Sequence, residues 1–169
     1  MFFQALDNHP RRALLALCAV GIGMLGFGMY LQHVVGLEPC PMCIVQRYAL
    51  LLIALVAGLA ALSARPGVHL SAVALIAVLA GAGAFVAARQ TWLQWYPPEA
   101  VSCGRDLYGM IEAFPLQRVV PMLLKGSGDC SKVDWTFLGG SIANWSVLVF
   151  AVIGLISLVV CGRRLFNKA

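Results

Sequence analysis

Charge is what this sequence has least of. Only 11% of its 169 residues are Asp, Glu, Lys or Arg, against 61% that are hydrophobic. Soluble domains carry about a quarter charged residues, so the chain lacks the polar surface that a water-facing globule needs. Acidic residues are scarcer than basic ones, 7 against 12, which leaves a net charge of +5. That excess does not make a nucleic-acid binder. The basic residues are dispersed and largely terminal, with no Lys/Arg block interleaved with aromatics, so no nucleic-acid partner is expected. Histidine is rare as well, and none accompanies the cysteines, which argues against zinc; no metal site is expected. The length allows one domain, residues 1–169.

What the chain does have is long apolar runs. A bilayer core of about 30 Å takes about 20 helical residues to cross. Four stretches pass that test, at about 13–34, 44–64, 68–88 and 145–161. The first follows Arg11 and Arg12 like a signal peptide, but it is long for an h-region and no A-x-A site closes it. It reads as a retained helix. The glycines of Gly21–Gly28 superficially form a dinucleotide fingerprint, yet no strand precedes them inside a span. Small residues there, and in AVLAGAGAFVAA of the third run, read instead as places where helices approach closely. The expected fold is an all-α membrane protein, a four-transmembrane-helix bundle.

Orientation follows from the basic residues. Arg11, Arg12, Arg65, Arg163, Arg164 and Lys168 flank one end of the runs, whereas Glu38 and most other acidic residues fall in the other two connections. By the positive-inside rule both termini and the second loop are cytoplasmic. The loops at about 35–43 and 89–144 then face the opposite side, the periplasm of a Gram-negative cell, where disulfides persist. The long loop opens with TWLQWYPPE, an aromatic stretch suited to a membrane interface. It continues through FPLQRVVPMLLK, read as a short segment lying on the membrane surface.

Six cysteines sort by place. Cys18 and Cys161 sit within or at the ends of spans and pack as small hydrophobes. Cys40, Cys43, Cys103 and Cys130 share one side of the membrane. They are open to three readings: structural staples, a zinc set, or two redox pairs that exchange. A staple suits Cys103 and Cys130, since closing a loop of that length removes roughly 3–4 kcal/mol of unfolded-state entropy. It suits LEPCPMCIVQR poorly, because a C-x-x-C ring constrains almost nothing and is typical of redox motifs. Pro41 fits the first helical position, so Cys40 falls near the N-cap and Cys43 in the first turn, where the helix dipole favours a thiolate. Arg47 is one turn deeper on the same face, and an intramembrane arginine implies a functional partner. Thiolate chemistry is placed where something lipid-soluble can reach it.

With these motifs the chain closely resembles the disulfide bond formation protein B (DsbB) family, membrane oxidases that reoxidise the periplasmic thiol oxidase DsbA. The resemblance rests on LQHVVGLEPCPMCIVQR, TWLQWYPP leading to Cys103, and SGDCSKVDWTFLG around Cys130, and covers nearly the whole chain. It implies a multi-pass protein of the bacterial inner membrane. Cys103–Cys130 would be the loop disulfide that accepts electrons from a DsbA-like thioredoxin-fold partner, with Cys103 forming the mixed disulfide. Cys130 would exchange with Cys40, and Cys43 would meet a quinone (ubiquinone or menaquinone) drawn from the lipid-dissolved pool, assisted by Arg47. The DsbA–DsbB–quinone route is the family's. Some members have a histidine where this chain has Gln90; Gln90 can still donate a hydrogen bond to a quinone carbonyl, and Arg89 serves as an interfacial anchor. The partner is expected on Pro98–Arg105, including Val101, Ser102, Cys103 and Arg105, extended after Pro97 and Pro98. Two other functions compete: a vitamin K epoxide reductase-like enzyme, whose C-x-x-C normally lies late in the chain, and a non-catalytic scaffold with stapled loops.

Overall fold

A computed structural model describes residues 9–96 and 130–166. Among them are four helices, α1 (Pro10–His33), α2 (Pro41–Leu62), α3 (Pro66–Trp95) and α4 (Ile142–Phe166). Each is long and apolar enough to cross a membrane, so the all-α four-span plan is the one that forms. Proline opens α1, α2 and α3 at the first helical position, where its fixed φ suits the helix and its missing N–H costs nothing.

The third helix runs further than its apolar stretch. Hydropathy falls off near residue 88, but α3 continues to Trp95 and carries Arg89, Gln90 and the aromatic residues with it. Hydropathy decides what enters lipid, whereas a helix ends where its backbone can no longer continue. Here the first breakers are Pro97 and Pro98. The expected loop therefore begins about two turns later than its composition implied, and Gln90 stands on a rigid helix.

Consecutive helices pack side by side, α1 on α2, α2 on α3 and α3 on α4. Ile53, Ala57, Ile76, Ala80 and Ala87 form the centre of the core. Large side chains such as Val20, Leu59, Phe85 and Leu155 point outward on all four helices, as lipid-facing surfaces do. Close approach uses some of the small residues and not others. A Cβ on Gly21 would come within 3.1 Å of Ala54, and one on Gly58 within 3.1 Å of the Cys18 sulfur. Gly23 and Gly26 meet nothing within 4 Å. Cys18 and Cys161 are free and pack against the core, in line with an apolar filler role.

Gly83 is the tightest crossing, because a Cβ there would lie 2.6 Å from the buried Phe150 ring. Gly83→Val should therefore lower stability by about 1–3 kcal/mol through overpacking. Thermal unfolding in detergent checks this, and the loss should shrink in a Phe150→Ala background. An unchanged midpoint would mean that the ring turns away at little cost.

The two ends of the bundle differ in chemistry. At one, Arg11 donates to the last carbonyls of α2, Ala61 and Leu62, each at 3.1 Å. A cation there satisfies orphan acceptors and suits the helix dipole. At the other end lie Cys40 and a small antiparallel hairpin, β1 (Thr136–Phe137) and β2 (Gly140–Ser141), with Thr136 opposite Ser141. Both turn residues have positive φ, Leu138 at 50° and Gly139 at 79°, as a two-residue hairpin of this hand requires. Ser141 then caps α4 by accepting from the Asn144 N–H at 3.3 Å, and its hydroxyl donates to Gln94 on α3 at 2.6 Å. The segment after Cys130 is thus tied to α3.

Candidate functional site

The C-x-x-C motif adopts the geometry its prolines imply. Cys40 is the N-cap of α2 and Pro41 the first helical residue. That places Cys43 at the third position, where its N–H has no intrahelical partner. The Cys40 sulfur accepts this N–H at 3.3 Å. Both cysteines are free, with sulfurs 2.8 Å apart. A disulfide needs about 2.05 Å, so less than an ångström of movement separates the pair from a bond. Cys40, just outside the span, has its thiol pushed well above the ordinary range, chiefly by its hydrogen bond to the Cys43 sulfur and then by burial.

Gln90 reaches this pair from α3. It is buried, and its Nε2 donates to the Cys40 sulfur at 3.3 Å and to the Cys43 sulfur at 3.2 Å. Both donors of the amide are therefore given to sulfur. Its Oε1 accepts from Gln46 at 2.7 Å. The sequence reading did not single out Gln46. Its signal was available: a polar side chain inside an apolar helix, one turn from Cys43 and on the same face.

Arg47 turns toward α1. Its guanidinium donates to Gln32 Oε1 and, at 3.1 Å, to the Gly28 carbonyl. Gly28 presents no side chain here, so the guanidinium lies against the backbone, 3.5 Å from where a Cβ would stand. Its partners are half-buried polar groups of α1, and they hold the planar fork in place.

Cys130 is fully buried and packs with Cys40 and Met42. It is disulfide-bonded, whereas Cys40 and Cys43 are not. Cys103, and with it Pro98, Val101, Ser102 and Arg105, lies outside the described residues, as does the expected interfacial segment. Arg89 is exposed on α3, one residue before the amide that meets the sulfurs.

These groups converge on a cavity of about 720 Å³ lined by all four helices and the hairpin segment. Cys43, Gln90 and Arg47 line its polar end, and Leu50 and Phe150 its apolar depth. Trp135 closes one side, edge-on to Phe27 at 6.1 Å and stacked on Phe137 at 6.0 Å. An apolar pocket with a few convergent polar groups at one end suits a small amphiphilic molecule.

The sequence profile of the family described as "Disulfide bond formation protein DsbB" matches residues 10–160. A "Disulfide bond formation protein B" of Albidiferax ferrireducens is 67% identical over 163 residues, covering 96% of this chain and 94% of that protein. The like-named protein of Polaromonas naphthalenivorans is 66% identical, covering 96% and 97%. That of Azoarcus sp. is 49% identical, covering 95% and 98%.

Proposed function

This chain belongs to the DsbB family of disulfide bond formation proteins, and from that premise we propose that it is a thiol:quinone oxidoreductase that reoxidises a DsbA-like dithiol partner in the periplasm. The observation that carries the reading is the free Cys40–Cys43 pair, 2.8 Å apart, at the mouth of a largely apolar cavity and packed beside the disulfide-bonded Cys130.

The reaction moves two electrons and two protons from the partner's dithiol. A partner thiolate attacks Cys103, breaking Cys103–Cys130 and forming a mixed disulfide. The partner's second thiol resolves it and leaves as a disulfide. Cys130 then exchanges with an oxidised Cys40–Cys43 pair through Cys40, so one S–S bond forms for each that breaks. This releases Cys43 as a thiolate in the first turn of α2, where unpaired N–H groups and the helix dipole stabilise it. Attack by Cys103 on the Cys130–Cys40 bond restores the loop disulfide and leaves the pair reduced. Burial of Cys130 against Cys40 supports this order, because exchange needs sulfurs within reach.

The cavity fits a quinone: its volume lies within the range of small-molecule pockets, roughly 300–1,000 Å³, and its lining is largely apolar, with the sulfurs, Arg47, Lys132 and Asp134 among its polar groups. Arg47, which lines the cavity, would hold the head group, whereas both N–H groups of Gln90 are given to the sulfurs and leave no donor for a quinone carbonyl. A quinone bound there would serve as the two-electron acceptor for the thiol pair. The protein contributes position and charge.

Purified protein given a reduced DsbA-like dithiol and ubiquinone or menaquinone should consume one quinone for every two thiols lost. Oxidation at the same rate without quinone would sink the proposal. The orientation is tested separately. Reporter fusions after Ala64 and Lys168 should report the cytoplasm and one at Gly126 the periplasm; a periplasmic signal at Ala64 would reverse the assignment of every cysteine.

A further inference from the structure

We propose that Gln46 is a positioning residue for the thiol pair. It holds the Gln90 amide in the orientation that turns both N–H groups toward Cys40 and Cys43. The inference rests on the reading that this pair is redox-active.

A carboxamide has a donor end and an acceptor end of nearly the same shape. The torsion that exchanges them is broad and two-fold, so packing alone does not choose between the orientations. At Gln90 the choice matters. With the nitrogen toward the pair, two N–H groups meet two electron-rich sulfurs, at 3.3 and 3.2 Å. With the oxygen toward the pair, a carbonyl dipole would oppose them. Gln46 decides the matter by giving its own N–H to Gln90 Oε1 at 2.7 Å. Both amides are buried, 6% and 3% exposed, so little water is at hand to satisfy either end in its place. In such surroundings a misdirected polar group is expensive.

The consequence is redox poise. The reduced pair carries more electron density on sulfur than the disulfide does, so two donated N–H groups favour the reduced form. Without Gln46, the amide is free to turn, and the equilibrium moves toward the disulfide.

The test is the reduction potential of Cys40–Cys43 in full-length, quinone-free protein carrying Cys103→Ser and Cys130→Ser, equilibrated with glutathione buffers and read by thiol alkylation. Gln46→Met should shift the equilibrium about tenfold toward the disulfide, about 30 mV more negative for a two-electron couple. Gln90→Met should shift it at least as far, and the double variant no further than Gln90→Met alone. An unchanged potential in Gln46→Met, or additive shifts in the double variant, would overturn the proposal. A pair that no glutathione ratio oxidises would overturn the redox reading itself, which separates the two failures.

Discussion

Replacing Cys43 with serine should abolish sustained turnover while sparing one stoichiometric oxidation of the partner. The loop disulfide that includes Cys130 is still present to accept electrons once. The pair that must pass them on is not, because a hydroxyl in place of the thiol cannot form the bond that the 2.8 Å sulfur separation prepares. Multiple turnover should fall on the order of 10³-fold or more, as for removal of one member of a unit that acts together. The time course of partner oxidation should show a burst close to one equivalent and then a flat line. Continued turnover past the first equivalent would show that electrons leave by a route that does not use Cys43.

Arg47→Met should cost the quinone-dependent rate next most. The guanidinium lies at the polar end of the cavity, fixed by Gln32 and the Gly28 carbonyl. Removing it takes a positive charge from the low-dielectric cavity that Cys43 also lines and leaves two acceptors on α1 without their donor. Hydrogen bonds to charged groups contribute about 1.5–3 kcal/mol, so kcat/KM for quinone should drop roughly tenfold to a hundredfold. Exchange with the partner's thiols in a single turnover without quinone should persist. Arg47→Lys keeps the charge but not the planar fork that spans both acceptors, and should retain part of the rate. If Arg47→Met leaves the quinone dependence unchanged, the arginine serves only to bind α1 to α2.

Much of the local structure was legible because it depends on neighbours in the chain. Pro41 after Cys40 implied an N-cap cysteine and placed Cys43 in the first turn, and both positions hold. α3 runs on past its apolar stretch, which stops near residue 88, because its breakers come only at Pro97 and Pro98. The hairpin escaped notice because Leu138 at positive φ breaks the usual preference, with only Gly139 and Gly140 to mark the turn.

By itself the sequence determined that this chain forms four helices long and apolar enough to cross a membrane and carries a C-x-x-C dithiol at the start of the second. Apolar length and the chemistry of the first helical turn are local properties. Only the tertiary structure decided what surrounds that dithiol. It brought Gln90 to both sulfurs across 50 and 47 residues of chain, joined Gln46 to it across 44, and turned Arg47 toward α1. It also seated Cys130 beside Cys40. The reason lies in the solvent. Lipid is as apolar as the inside of a bundle, so the residues of a spanning helix do not separate into a polar outer face and an apolar inner one. Which faces meet is then set by the fit of side chains such as Gly21 on Ala54 and Gly83 on Phe150, and by the few polar groups that must find each other once water is gone.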